Sequence, residues 1–350
     1  MTKEKQYARL FDMKILGIET SCDDTGIAIL DIRDGLFRVE KNNIASQASL
    51  HTKYGGVVPE VAARKHVETI IPLLKETIAE HAPESFDAIA VTAGPGLVTS
   101  LQVGVETAKS LSYAWNVPLA GVNHIEGHLY SVLLNRHIDE LVFPAVALVV
   151  SGGHTELILM RDHGDYALLG RTRDDAAGET FDKAATMLKL PYPGGPAITK
   201  QAEQGNAEAF ALPHPMKDPQ SLEFSFSGLK NAIRLLIEEQ KQSRGPLAIA
   251  DIAASVQKTI VDILVERSHR AVAQYNPKTF ILAGGVAANP LLRDTLTQTI
   301  GARATVLMPE QPYTQDNAAM IAAAAYQQVC TKQFARYDTL TALSNWELVN

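Results

Sequence analysis

A chain of 350 residues, 46% hydrophobic and 20% charged, has room for about two domains with proper cores, and this composition excludes a disordered or fibrous protein. A formal charge of −7 excludes a protein that holds nucleic acid by bulk charge alone, so any such role needs a local basic patch or a partner. Two distant cysteines, Cys22 and Cys330, exclude a disulfide framework and, with no CxxC or CxxH pairing, an obvious cysteine-ligated zinc.

The N-terminus lacks an apolar core of signal-peptide length, and residues 1–13 read as a disordered extension ahead of the first strand. No segment reaches the roughly 20 apolar residues of a membrane span, so a cytoplasmic location is expected. From Lys14 to Asp31 an apolar run, a polar cluster and a second apolar run spell a hairpin with a polar tip. Ala88 to Ser112 reads as a strand, a glycine turn and a helix, and Val117 to Val122 as a short strand leading into His124. A boundary fits at Asn135 to Phe143, which makes residues 14–143 an N-terminal α/β lobe. The pattern then repeats: Ala145 to Arg161 is a second polar-tipped hairpin, and Thr279 to Leu296 a second strand, glycine turn and helix. This recurrence predicts an α/β protein with internal duplication, its C-terminal lobe covering 144–312 and a cleft between the lobes. A final helix, Asp316 to Val329, is apolar on nearly every face; residues 313–330 are expected to return to the N-terminal lobe, and 331–350 to form a polar tail.

His124 and His128 are four residues apart, about one helical turn, so both imidazoles leave one face and can close on one metal. Two ordinary helix histidines would look the same. Asp316 is the candidate third ligand that the sequence offers, and a helix N-cap is its other role. Two histidines and an aspartate with open positions suit Fe(II) or Zn(II). The stretch HIEGH is not the HExxH of zinc peptidases: Ile125 stands where that glutamate would, and Glu126 lies roughly 200° round the helix from His124.

Asp174 to Lys183 opens a helix with acids in its first turns, and Asp182 beside the stripe of Phe181, Ala185 and Leu188 could accept hydrogen bonds from ribose hydroxyls. Pro191 to Pro196 reads as a rigid loop whose glycines admit a planar group, or as plain turn punctuation. Ser151 to Thr155 is a glycine turn of the kind that cradles phosphate. Phe224 to Lys230 is expected to cap a helix through a serine hydroxyl. Lys53, Arg64, Lys65 and His66 form a modest basic cluster, read as a solvated face ahead of a phosphate contact.

Taken in order, GIETSCDDTG, HTKYGGVVPEVAARKH, GPGLVTSLQVG, NHIEGH, SGGHTE, DDAAGETFDK, YPGGP, FSFSGLK, GGVAAN and DNAAMIAAAAY resemble the bacterial tRNA threonylcarbamoyl transferases of the TsaD family, from Met13 to about Val329. The resemblance implies a two-lobed actin-like fold, as in sugar kinases and Hsp70, with an interlobe nucleotide cleft. It implies an acyltransferase that moves threonylcarbamoyl from threonylcarbamoyl-AMP to N6 of the adenosine 3′ of the anticodon, in tRNAs reading codons that begin with A. Carried over residue by residue, the metal ligands fall on His124, His128 and Asp316. The adenylate contacts fall on Val149, Val150, Ser151, Gly152, Gly153, Asp182, Gly195 and Asn289. No catalytic general base is assigned. Implied with these are one divalent metal, Fe(II) ahead of Zn(II), and two partners, a TsaB-like paralogue and a TsaE-like ATPase. Where the family usually has Cys-Thr before the metal-binding aspartate, Thr314 and Gln315 stand here, which puts tuning of the metal in doubt more than its binding.

Overall fold

Strands with both faces covered need apolar residues at consecutive positions, and the first two here meet that requirement. In the computed structural model, which describes residues 12–214, 220–242 and 246–349, they are β1 (Met13–Glu19) and β2 (Asp24–Arg33). The expected N-terminal extension lies outside the described residues as far as residue 11, and Met13 already belongs to β1. There follow β3 (Leu36–Ser46), α1 (Ala48–His51), α2 (Pro59–Thr77), β4 (Ala88–Gly94), α3 (Val98–Trp115), β5 (Leu119–Asn123) and α4 (His124–Tyr130). The next run is β6 (Ala145–Val150), β7 (Thr155–Asp162), β8 (Asp165–Arg171), α5 (Ala177–Met187), α6 (Gly194–Ala202), α7 (Ser227–Gln242) and α8 (Ile249–Tyr275). β9 (Thr279–Ala283), α9 (Pro290–Ile300), β10 (Thr305–Leu307), α10 (Ala318–Ala324) and α11 (Tyr326–Thr331) complete the order.

The chain divides into two compact units, one from the N-terminus to Leu141 joined by the stretch from Pro309 onward, the other Val142–Met308. Each holds one five-stranded mixed sheet. The first runs β3-β2-β1-β4-β5, and the second, read from its β8 edge, runs β8-β7-β6-β9-β10. The correspondence extends to direction. β1–β2 and β2–β3 are antiparallel with β1–β4 and β4–β5 parallel; β6–β7 and β7–β8 are antiparallel with β6–β9 and β9–β10 parallel. The repeated hairpins and strand-turn-helix units of the sequence are thus the same five strands laid down twice.

In the first unit Leu16, Ile18, Ile27 and Ile29 pack with Ile70 and Leu74 of α2 and Val105 and Ala108 of α3. Strand residues alternate faces, so Ile15 and Gly17 look the other way, and there α10 lies on β1 and β2. A Cβ on Gly17 would stand 2.1 Å from the Ala318 carbonyl oxygen, and one on Gly26 3.0 Å from the Ala318 nitrogen. Only glycine on the strands and alanine on the helix permit this approach. The final helix, expected to be continuous, is two helices meeting at Ala325, and its N-cap is Asn317, whose Oδ1 accepts the Met320 N–H at 3.0 Å.

In the second unit Val146, Leu148, Leu157, Phe280 and Leu282 of the sheet pack with α5, α8 and α9. The expected loop at 191–196 is instead partly helix: Pro193 is the N-cap, and Gly194, Gly195 and Pro196 form the first turn of α6. The tail beyond 331 is likewise not a free polar end, because Leu340, Ala342 and Trp346 pack against the core of the first unit. Among the described residues no helix is long and apolar enough to cross a membrane.

Gly17→Ala should cost about 1–3 kcal/mol of stability by overpacking and should move Asp316 with α10; a lower unfolding midpoint in denaturant checks the first effect. His163, half-buried at the β7–β8 turn with its ring edge-on to Phe143, is held down to about 4 by burial, which the neighbouring Asp162 only partly offsets. Between its ordinary value of 6.5 and about 4 the unfolded chain takes up a proton that the folded chain refuses, so stability falls as pH drops through that window. A thermal-unfolding comparison at pH 7 and 4.5 should show a smaller loss for His163→Gln than for the parent chain.

Candidate active site

The strand β5 ends in Asn123, whose side chain accepts from the backbone of Ile125 at 2.9 Å and Glu126 at 3.4 Å and so caps α4. One turn of α4 then sets His124 and His128 side by side, ring centroids 4.7 Å apart at 77°. Asp316 sits just ahead of the cap of α10. Its Oδ1 lies 3.6 Å from His124 Nε2 and 3.3 Å from His128 Nε2. Because Asn317 does the capping, Asp316 is not the helix cap that the sequence allowed it to be.

The three side chains offer ligand atoms within 4.8 Å of one another. Both ring nitrogens of His128 are buried with no hydrogen-bond partner among the described residues, although an unpartnered buried polar group costs about 1–3 kcal/mol. Two imidazole nitrogens and one carboxylate oxygen, with the His128 ring close to the carboxylate but not hydrogen-bonded to it, fit a divalent cation that keeps open positions.

Behind His124 stands Glu19, the last residue of β1, fully buried, with Oε2 3.3 Å from Nδ1 of the ring; Ser21 Oγ is 3.2 Å from the same nitrogen. Burial of His124 works against its charge, but Asp316 and Glu19 outweigh it and raise the imidazole to about 9. Burial likewise pushes Glu19 up, yet His124 holds it below the ordinary carboxylate range. A carboxylate on the far ring nitrogen fixes ring orientation and makes the facing nitrogen a better ligand. Sequence reasoning missed Glu19; its signal is a lone acid closing the apolar run Ile15 to Ile18.

The residues expected to meet an adenylate all lie in the second unit. Val149 and Val150 are fully buried at the end of β6, and Ser151 turns back on itself, its N–H donating to the His154 carbonyl at 2.8 Å and its Oγ accepting the His154 N–H at 3.1 Å. Gly152 and Gly153 are exposed, with nothing near where a side chain would be. Backbone contacts link the rest into a circuit. Gly178 of α5 donates to the Ser151 carbonyl at 3.2 Å. Asp182 Oδ1, also on α5, accepts the Gly194 N–H at 2.7 Å and so pins the first turn of α6, leaving Gly195 beside open space. Asn289 caps α9 through Oδ1 and donates through Nδ2 to Thr199 of α6 at 3.0 Å and Gln257 of α8 at 2.9 Å. Gly284, five residues before Asn289, closes the circuit: a Cβ there would stand 2.4 Å from the Val150 carbonyl oxygen.

Two smaller expectations change. The serines of Phe224 to Lys230 do not cap α7 themselves. Asp174 does, accepting from the backbone of Phe226 at 2.7 Å and Ser227 at 3.2 Å, and from both hydroxyls. His66 leaves the basic cluster: it is buried between Thr25 Oγ1 at 2.8 Å and the Cys22 carbonyl at 3.0 Å, while Lys65 pairs with Glu68. Thr314, where the family usually has cysteine, is buried and donates to the Gln311 carbonyl at 2.9 Å.

Residues 38–323 match the family model described as TsaD, tRNA N6-adenosine threonylcarbamoyltransferase. The tRNA N6-adenosine threonylcarbamoyltransferase of Thermomicrobium roseum is 49% identical over 340 residues, covering 90% of this chain and 91% of that one. That of Bacillus subtilis is 48% identical over 317 residues, covering 89% and 90%. Among solved structures, the activator of the 2-hydroxyisocaproyl-CoA dehydratase from Clostridium difficile superposes with a TM-score of 0.53 at 13% identity, over 92% of this chain and 97% of that one, a likeness of fold. With two duplicated mixed sheets of this actin-like type and near-half identity over most of its length, the chain belongs to the TsaD family of tRNA N6-adenosine threonylcarbamoyltransferases.

Proposed function

We propose that this chain moves the threonylcarbamoyl group of threonylcarbamoyl-AMP onto N6 of the adenosine 3′ of the anticodon, in tRNAs that read codons beginning with A. The observation that carries this reading is the convergence of His124, His128 and Asp316 in a chain of this family. The donor is a mixed carbamic–phosphoric anhydride. Its carbonyl carbon loses the bond to the phosphate oxygen and gains one to N6, the amine gives up a proton, and AMP departs. An activated donor needs no covalent enzyme intermediate, so the protein's work is alignment and charge stabilisation.

A divalent cation held by His124, His128 and Asp316, with Fe(II) or Zn(II) the candidates from the donor set, supplies Lewis-acid polarisation of a carbonyl or phosphate oxygen. Glu19 orients His124 for that task. The exposed N–H groups of Gly152 and Gly153 receive the phosphate, which is the use of a glycine turn open on one side. Asp182, whose Oδ1 holds Gly194, is assigned to the ribose hydroxyls, and Gly195 and Asn289 to the lining of the adenosine portion. Dependence on a TsaB-like paralogue and a TsaE-like ATPase in the cytoplasm follows from the same family reading, as does a separate enzyme that makes the adenylate.

The test is incubation with tRNA, labelled threonine, bicarbonate and ATP together with the adenylate-forming enzyme, TsaB and TsaE. Label should enter tRNA only when the chain is present. His124→Ala should bind well under one metal ion per chain and abolish labelling, whereas full transfer by metal-depleted protein would remove the metal from the reaction. Asp182→Asn keeps an acceptor for Gly194 but cannot accept from ribose as well. Its adenylate affinity should fall with metal content unchanged, and undiminished affinity in a binding titration would refute the ribose assignment.

A further inference from the structure

The last stretch of the chain lies beyond residues 38–323, which match the family, yet it is built into the sheet that carries the metal ligands. Ala335 donates to the Leu119 carbonyl at 2.8 Å at the start of β5. Leu343 donates to the Ala93 carbonyl at 2.7 Å at the end of β4, and the Ser344 carbonyl accepts from Gly96 at 3.3 Å. Glycines on the strands make room for it: a Cβ on Gly94 would stand 2.0 Å from the Leu343 carbonyl oxygen, and one on Gly121 2.7 Å from Leu340. This strap also reaches the start of the metal helix. The Trp346 carbonyl accepts Nδ2 of Asn123 at 3.0 Å, the residue whose Oδ1 caps α4.

We propose that residues 335–346 are a positioning element of the metal centre, with Asn123 as the positioning residue that transmits their hold to His124 and His128. The inference rests on the metal reading above. An asparagine amide has two ends, and a carbonyl on the Nδ2 side decides which way it points. With Trp346 on that side, Oδ1 is directed at the Ile125 and Glu126 N–H groups. The helix it caps has only seven residues, and both histidines lie within its first five. A helix this short has little stability of its own, so its position depends on its cap and its packing. Trp346 and Leu340, partly buried against the core of the first unit, keep the carbonyl where Asn123 needs it.

Two variants of the full chain separate the strap from the cap. Asn123→Ser retains a side-chain oxygen of equal capping strength but gives up the amide donor to Trp346. Gly94→Ala leaves Asn123 intact and drives the Leu343 carbonyl away. Calorimetric titration with Zn²⁺ and the visible spectrum of the Co²⁺-loaded protein read the ligand geometry directly. Expected in both variants is Zn²⁺ binding weaker by about tenfold, the effect typical of losing an outer support of a metal ligand, with displaced Co²⁺ bands. Thermal unfolding of Asn123→Ser should stay near that of the parent. Affinity and Co²⁺ spectrum unchanged in Asn123→Ser overturn the proposal, even if unfolding temperatures fall. Weakening in Asn123→Ser with none in a folded Gly94→Ala also overturns it, because the cap alone would then be responsible; should Gly94→Ala not fold, Asn123→Ser decides. Failure of the parent chain to bind either ion is a different result, and it defeats the metal reading itself.

Discussion

The meeting of His124, His128 and Asp316 depends on how closely one helix can approach one strand. Asp316 follows His128 by nearly two hundred positions, and it reaches the histidines because α10 rests almost on the backbone of β1 and β2. At Gly17 and Gly26 there is no room for a methyl group, and the facing turn of α10 is alanine. Interiors packed at crystalline density transmit such spacing faithfully, so a site about a hundred residues or more away in sequence is held by the absence of two side chains. The Asn317 cap completes the arrangement by taking over the helix N–H that Asp316 would otherwise serve.

Around that contact the electrostatics are mutually dependent. His124 lies between two carboxylates, Glu19 on one ring nitrogen and Asp316 near the other, and each acid is tolerated where it is because of the imidazole. Isolated burial of Glu19 would cost far more than a neutral side chain in the same place, and the partnership with His124, Thr92 and Ser21 offsets that cost. His128 differs. Among the described residues its two buried nitrogens have no hydrogen-bond partner, a state that suits a ring able to hold a cation.

The second unit repeats the sheet of the first but spends its loops differently. Where the first hairpin tip leads to Glu19 and Ser21 behind a histidine, the second bends into Ser151, Gly152 and Gly153 with backbone open to one side. Short contacts from α5, from α6 and from the turn before α9 hold that edge together, and Asp182 and Asn289 serve as its braces. The same strand order thus carries two different sets of side chains at its edges, because loops vary where the scaffold repeats.

Much of this was legible in the chain. Alternating and continuous apolar runs identified both hairpins and both strand-turn-helix units, since burial on one or two faces imposes its period on the sequence. The helical spacing of His124 and His128 put them on one face before any coordinates. Other features had no local signal. The long helix α8 buries residues on nearly every side, so it shows no amphipathic period, and the caps of α7 and α10 come from Asp174 and Asn317 and not from the residues that pattern suggested. Glu19 is invisible as a partner of His124 because more than a hundred residues separate them. The tail looked polar because its apolar residues follow no helical or strand period, yet Leu340, Ala342 and Trp346 pack against the core of the first unit. Sequence by itself determined the periodic elements, their duplication, the family and the helical spacing that sets His124 and His128 on one face, because each is carried by local pattern or by motifs in order. Tertiary structure alone decided which atoms meet, from Glu19 behind His124 to Trp346 behind Asn123, because those pairings follow from how closely distant segments can pack.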